Sequence, residues 1–148
     1  MSQPSLFGTA STRSAVASVD GGSRGNPGPA GYGVRIECDD GTVEEMKESL
    51  GVATNNVAEY RGLLAALAWA VRAGIGRLHV RSDSELLVKQ MRGEYRVKNQ
   101  GLQPLWADAR RLVQQIGDVR FEHVRREFNE TADRLANQAM DEGRPIDR

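Results

Sequence analysis

Apolar residues recur along this chain in two rhythms. Between residues 31 and 38, Tyr32, Val34, Ile36 and Cys38 alternate with small or polar residues, the period-2 pattern of a half-buried strand. Between residues 56 and 72 the period lengthens. Tyr60, Leu63, Leu64, Leu67 and Val71 share one helical face, Asn55 or Asn56 can cap it, and Gly74 ends it. A shorter apolar run predicts a first strand over 15–20. The Asp39-Asp40-Gly41 turn predicts that a third strand, roughly 42–50, returns antiparallel, although its alternation is poor. Residues 77–81 read as a strand, and 84–91 as a helix beginning directly after Asp83. Residues 93–101 form a polar connector. Leu102, Leu105, Trp106, Ala109, Leu112, Val113 and Ile116 stand at helical spacing, followed by a last strand over 119–124 and a last helix over 130–140. The order βββαβααβα predicts an α/β domain: a five-stranded mixed sheet with helices on its faces.

Between the first two strands lies Val19-Asp-Gly-Gly-Ser-Arg-Gly-Asn-Pro-Gly-Pro-Ala-Gly31. After Asp20 this stretch is too rich in Gly and Pro for helix or ladder and reads as a turn. Its Gly22, Gly25, Gly28, Gly31 period is far too short for a triple helix. Asp20 ends the first strand, and three further acids occupy comparable junctions: Glu59 in Thr54-Asn-Asn-Val-Ala-Glu, Asp83 in Val80-Arg-Ser-Asp-Ser, and Asp133 in Asn129-Glu-Thr-Ala-Asp. Taken singly, Asp83 and Asp133 are ordinary acids of a helix first turn, favoured by the dipole, and Glu59 is a solvated helix charge. Taken together, carboxylates brought from separate elements repel one another unless divalent cations hold them. That points to a metal-dependent hydrolase.

Composition narrows the setting. A chain of 148 residues suits one domain, here 15–141, between tails at 1–14 and 142–148. No apolar run approaches the ~20 residues that span a bilayer, and no basic-then-apolar leader opens the chain, so a cytoplasmic protein with no membrane partner is expected. Cys38 is the single cysteine and falls on the apolar side of its strand, as a small core residue would. Twenty basic and twenty acidic residues leave no net charge, so any nucleic-acid contact must rest on local patches. No Gly-Lys-Ser/Thr follows the glycine-rich turn, which argues against a nucleotide-binding P-loop.

The element order, with Asp20, Glu59, Asp83 and Asp133 in these contexts, resembles type 1 ribonuclease H across about residues 15–139. That family cleaves the RNA strand of RNA–DNA hybrids with Mg²⁺ or Mn²⁺, leaving 5′-phosphate and 3′-hydroxyl ends. The resemblance implies that the four acids are catalytic and metal-holding, with Asp20 between two ions. In such a site, with ions roughly 4 Å apart, one ion activates the attacking water and the other stabilises the leaving oxygen. Carboxylate, phosphate and water oxygens are the ligands Mg²⁺ prefers. The resemblance further implies that Ser23, Asn26, Asn55 and Asn56 contact nucleic acid and that Thr54 helps hold a DNA-strand phosphate. Gly21 and Gly22 would let the backbone approach ribose 2′-hydroxyls in the wide minor groove. Glu85 stands where the family often has Gln. Glu59 lies beside the apolar stripe of its helix, facing the sheet edge.

Two departures define a subgroup. The connector 93–101 is short and carries only Arg96 and Lys98 as basic residues, so the basic protrusion of better known bacterial members is missing. The loop before Asp133 contains no His; Arg126 matches the position where the resembling subgroup, found in archaea and some bacteria, has Arg. A guanidinium cannot shuttle protons, so its catalytic part would be electrostatic. His79 and His123 are expected to be structural. The protein is expected to be a monomer. Two rival readings remain: a broader nuclease that also cuts double-stranded RNA or RNA–DNA junctions, and a catalytically silent hybrid-binding module.

Overall fold

The computed structural model describes residues 13–143. Ten-residue β1 (Ser14–Ser23) is followed by β2 (Gly28–Cys38), β3 (Val43–Ala53), α1 (Asn55–Arg72), β4 (Arg77–Ser82), α2 (Glu85–Met91), α3 (Gln103–Ile116), β5 (Asp118–His123) and α4 (Glu130–Glu142). The βββαβααβα order expected from the sequence is the order observed. Strands lie in the order β3-β2-β1-β4-β5. The β1–β2 and β2–β3 pairs are antiparallel, whereas β1–β4 and β4–β5 are parallel. The sheet is therefore mixed, as the hairpin-then-crossover sequence pattern requires.

Strand β1 is longer than expected because the Gly/Pro-rich stretch is largely ladder. Gly21 pairs with Tyr32, Gly22 with Gly31 and Ser23 with Ala30, which leaves only residues 24–27 as the turn. The reason lies in what the glycines lack. A Cβ on Gly21 would stand 2.4 Å from the Ala58 carbonyl carbon of α1. On the opposite face, a Cβ on Gly31 would meet Ala139 at 2.7 Å, and one on Gly33 the Ala132 oxygen at 2.4 Å, both on α4. Successive strand residues face opposite sides, so α1 and α4 sandwich β1 and β2 at distances only glycine permits. In sequence, packing glycines look like turn glycines.

The core fills the α1 side. Tyr60, Leu63 and Leu67 of α1 are fully buried against Val19, Val34, Ile36, Leu78 and Val80 of the sheet, and Cys38 is buried as expected. Thr54, rather than Asn55 or Asn56, caps α1: its Oγ1 accepts from the Val57 N–H at 3.2 Å. Gly74, just past the helix, has φ +72°, the left-handed conformation that ends helices. Strand β3 is an edge strand with charged, mostly exposed side chains, which accounts for its poor alternation and protects the edge. A 3₁₀ turn, Arg126–Phe128, precedes α4; three residues carry no periodic signal to predict it. Of the expected tails, residues 1–12 and 144–148 lie outside the described residues, while Ser14 opens β1 and Glu142 ends α4.

Candidate active site

Parallel strands β1 and β4 end side by side: Val19 pairs with Ser82, and the next residue of each strand is an acid. Ligand sites form at such carboxyl ends in α/β sheets. Asp20 projects from β1. Asp83 follows β4 in a turn held by Ser82 Oγ, which accepts from the Ser84 N–H at 3.0 Å; Ser84 then caps α2 through Leu87 N–H at 3.2 Å. Glu59 comes from the first turns of α1, and Asp133 from the first turn of α4. A buried bond from Tyr60 Oη to Gln90 Oε1 (2.7 Å) ties α1 to α2 and so fixes Glu59 relative to Asp83. Glu59 thus faces the middle of the sheet, not its edge.

All four acids line one open cavity of ≈ 780 Å³, together with Gly21, Gly22, Ser23, Asn55, Asn56 and Arg126. Electrostatics there are strained. Burial, the Asp83 charge, a hydrogen bond with Asp133 and the charges of Asp133 and Glu59 together push the Asp20 carboxyl up to about 8. Burial raises Glu59 to about 7; the Ser84 hydroxyl opposes this and the Asp83 charge adds to it. Opposing charge comes from Arg24, Arg125 and Arg126, which also line the cavity; Arg126, its side chain 79% exposed, brings Nε to 3.7 Å from Asp83 Oδ2. Among the described residues, no three acid or imidazole side chains gather tightly enough to enclose an ion among themselves. A cation here would complete its shell with water and phosphate oxygens, which is how Mg²⁺ is ordinarily held.

The expected substrate residues divide. Asn55 Oδ1 accepts from the Ser23 N–H at 2.7 Å and from the Ser23 hydroxyl at 3.3 Å, and the Asn55 N–H donates to Asn26 Oδ1 at 3.0 Å. These bonds lock the β1–β2 turn onto the start of α1. Asn26 and Thr54 stand behind this lock, outside the cavity lining. The cavity lining also takes in residues outside the expected site, among them Arg24, His123, Arg125, Glu127 and Asn137. His123 is exposed at the end of β5 and lines the cavity, so burial gives it no structural role. His79, by contrast, pairs across strands with Glu122 (Nε2–Oε1 2.9 Å). Arg125 and Asn137 also line the cavity; Asn137, one helical turn beyond Asp133, was legible from spacing.

Residues 18–139 match the reverse transcriptase-like family model. The N-terminal RNase H domain of Rv2228c from Mycobacterium tuberculosis, solved as a fusion with maltose binding protein, has a TM-score of 0.86 at 48% identity, covering 89% of this chain and 96% of that one. RNase H1 of the archaeon Halobacterium salinarum has a TM-score of 0.82 at 41% identity, covering 87% and 98%. The chain belongs to the type 1 ribonuclease H family.

As a type 1 ribonuclease H it is a short one: no helix interrupts residues 92–102 between α2 and α3, where the protrusion of longer members would stand. LC11-RNase H1, solved in complex with RNA/DNA hybrid, is 40% identical with a TM-score of 0.81, covering 86% of this chain and 97% of that one. The bifunctional protein Rv2228c itself is 51% identical over 128 residues; the match takes in 85% of this chain and 35% of Rv2228c. This chain therefore spans about a third of the length of its mycobacterial relatives.

Proposed function

We propose that this chain is an endoribonuclease that hydrolyses the RNA strand of RNA–DNA hybrids with Mg²⁺ or Mn²⁺, leaving 5′-phosphate and 3′-hydroxyl ends. The observation that carries the reading is the convergence of Asp20, Glu59, Asp83 and Asp133 in one cavity, with Asp20 raised to about 8. Four like charges held at the ends of rigid elements are unfavourable on their own and suit a divalent cation. The donor set is all carboxylate, which fits a hard oxygen-seeking ion and offers no thiolate for zinc. When bound, a pair of such ions lowers the pKa of an attacking water and stabilises the departing 3′-oxygen.

The chain's own residues do the rest. Burial, the Asp83 charge and the neighbouring Asp133 hold a proton on Asp20 near neutral pH, and the site gives it up when it takes up positive charge. Asn55 uses its carbonyl oxygen on Ser23, which leaves its NH₂ to donate into the cavity. Donors there suit the 2′-hydroxyls and base-edge acceptors of a wide minor groove, and Gly21 and Gly22 add a backbone without side chains in front of them. Asn56 lines the same wall. Asn26 and Thr54 serve recognition indirectly, by holding the turn and the start of α1. Arg126 places a permanent positive charge beside Asp83 for phosphate.

End-labelled RNA–DNA hybrid, double-stranded RNA, duplex DNA and a duplex with a single ribonucleotide, each with Mg²⁺ or Mn²⁺, test the proposal. Hybrid is cut in its RNA strand, and end analysis gives 5′-phosphate; duplex DNA stays intact. Cleavage of duplex DNA at a comparable rate would refute ribose sensing, and an inert protein would leave only hybrid binding.

A further inference from the structure

Asn129 stands immediately before α4 and is only 2% exposed. Asparagine at this position ordinarily turns its side-chain oxygen to the first N–H groups of the helix. Here it makes no such cap. Its Nδ2 instead donates to the main-chain oxygen of Val19 at 2.9 Å, a buried bond joining residues 110 apart in sequence. A carbonyl can only accept, so that bond fixes the orientation of the amide. The consequence is a buried Oδ1 with no partner, an arrangement that is unfavourable by itself.

Both ends of this residue reach the acids. Val19 directly precedes Asp20. The Asn129 main-chain oxygen accepts the Asp133 N–H at 3.0 Å, and the Asn129 N–H is held by the Arg126 oxygen at 2.9 Å. One residue therefore spans from the strand end that carries Asp20 to the helix turn that carries Asp133, two acids that line the same cavity. The capping bond has been given up for a bond to the strand. We propose that Asn129 is a positioning residue that sets the separation of Asp20 and Asp133 and hence the fit of the site to a divalent cation. This inference rests on the proposed metal-dependent function of the same site.

The test is a variant that removes the brace and leaves the helix start intact. Asn129→Ser keeps a favoured capping residue, but its side chain is too short to reach the Val19 oxygen; Asn129→Asp keeps the shape and loses the donor. Each is assayed on hybrid well below its own melting midpoint, over a Mg²⁺ titration, and its melting is followed with EDTA and with Mn²⁺. The expected result for Asn129→Ser is an EDTA melt close to the parent's and a smaller upward shift with Mn²⁺. Its kcat falls about tenfold with KM little changed, and its half-saturating Mg²⁺ rises. Asn129→Asp follows the same pattern. A folded Asn129→Ser with parental kcat, Mg²⁺ requirement and Mn²⁺ shift overturns the proposal. So does a loss confined to the EDTA melt in both variants, which would make Asn129 merely structural. If the parent protein shifts with Mn²⁺ but cuts nothing, the nuclease reading fails while the Mn²⁺ comparison still decides Asn129.

Discussion

Strands β1 and β4 have a hollow at each end, and the two are nearly equal in size. At the carboxyl end lies the acid-lined cavity of ≈ 780 Å³. At the amino end, on the face that α4 leaves open, lies a trough of ≈ 830 Å³ around Val16, which is 38% exposed. Charge distinguishes them. In the trough opposites meet, Arg77 with Asp118 at 3.3 Å and Glu37 with Arg35 at 3.2 Å, and His79 Nε2 lies 2.9 Å from Glu122 Oε1. Asp39 accepts from the Ser14 N–H at 3.0 Å. In the cavity, Asp20, Glu59, Asp83 and Asp133 face one another, and of the three arginines lining it Arg24 pairs with Asp141, Arg125 with Glu127 and Arg126 with Asp83. The trough's charges are answered by their neighbours, whereas the cavity's four half-buried acids face mostly one another. Volume does not separate the two hollows; charge does.

The sharpest way to break this comparison is to remove one acid. Asp20→Asn is expected to lower hybrid cleavage by about a thousandfold or more, ~4 kcal/mol of barrier. Rates with Mg²⁺ and Mn²⁺ check it, and residual activity within tenfold of the parent would show that Asp20 is not central.

Next in size is the response to cation and pH. Saturating Mn²⁺, at about 100 times its Kd, should stabilise the folded protein by about 2.7 kcal/mol, and Asp20→Asn should lose most of that. Without metal, the native state holds a proton on Asp20 up to about 8, whereas an ordinary aspartate gives it up near 3.8. Between those values the folded protein binds more protons than the unfolded chain, so stability falls as pH rises and levels off above about 8. Glu59 adds to the slope between 4.5 and about 7. Melting in EDTA across this range should show the decline, and Asp20→Asn should flatten it and melt higher at pH 8. A parent protein whose EDTA melt rises over this range would contradict the electrostatic account.

Arg126 should matter less. Arg126→Ala is expected to reduce kcat about tenfold, ~1.4 kcal/mol, with a smaller effect on KM. Steady-state kinetics on hybrid separates the two, and parental kcat would make the 3₁₀ turn a plain connector.

Smallest of all are changes in the trough. Glu122→Gln breaks two exposed pairs, with His79 and Arg81, and should alter stability by less than about 0.5 kcal/mol while leaving cleavage unchanged. Denaturant melts and the hybrid assay check both. A large loss of activity would mean that the trough communicates with the site.

Much of this was legible beforehand because it rests on local patterns. The stripe of Tyr60, Leu63 and Leu67 and the alternation of Val34, Ile36 and Cys38 set the element order. The four acids stood out because each sits where one element gives way to another. What escaped depends on partners distant in sequence. Gly21 and Gly31 look like turn residues until α1 and α4 are placed against them. Asn55 looks like a cap until Ser23 and Asn26 take up its polar groups and Thr54 takes the helix end. The amide of Asn129 finds Val19, and His123 reaches the cavity rim only because β5 lies beside β4.

The glycines under α4 carry a consequence for anyone who would engineer this protein. Stabilising substitutions commonly replace strand glycines with residues of higher strand propensity. At Gly33 and Gly31 even one methyl group would collide with the α4 backbone, at 2.4 and 2.9 Å. The helix would have to lift, and Asp133 would travel with it away from Asp20. Local reinforcement and active-site alignment are therefore opposed at these two positions, and a thermostable redesign has to look for its gains elsewhere, on the exposed edge of β3 or in the open trough.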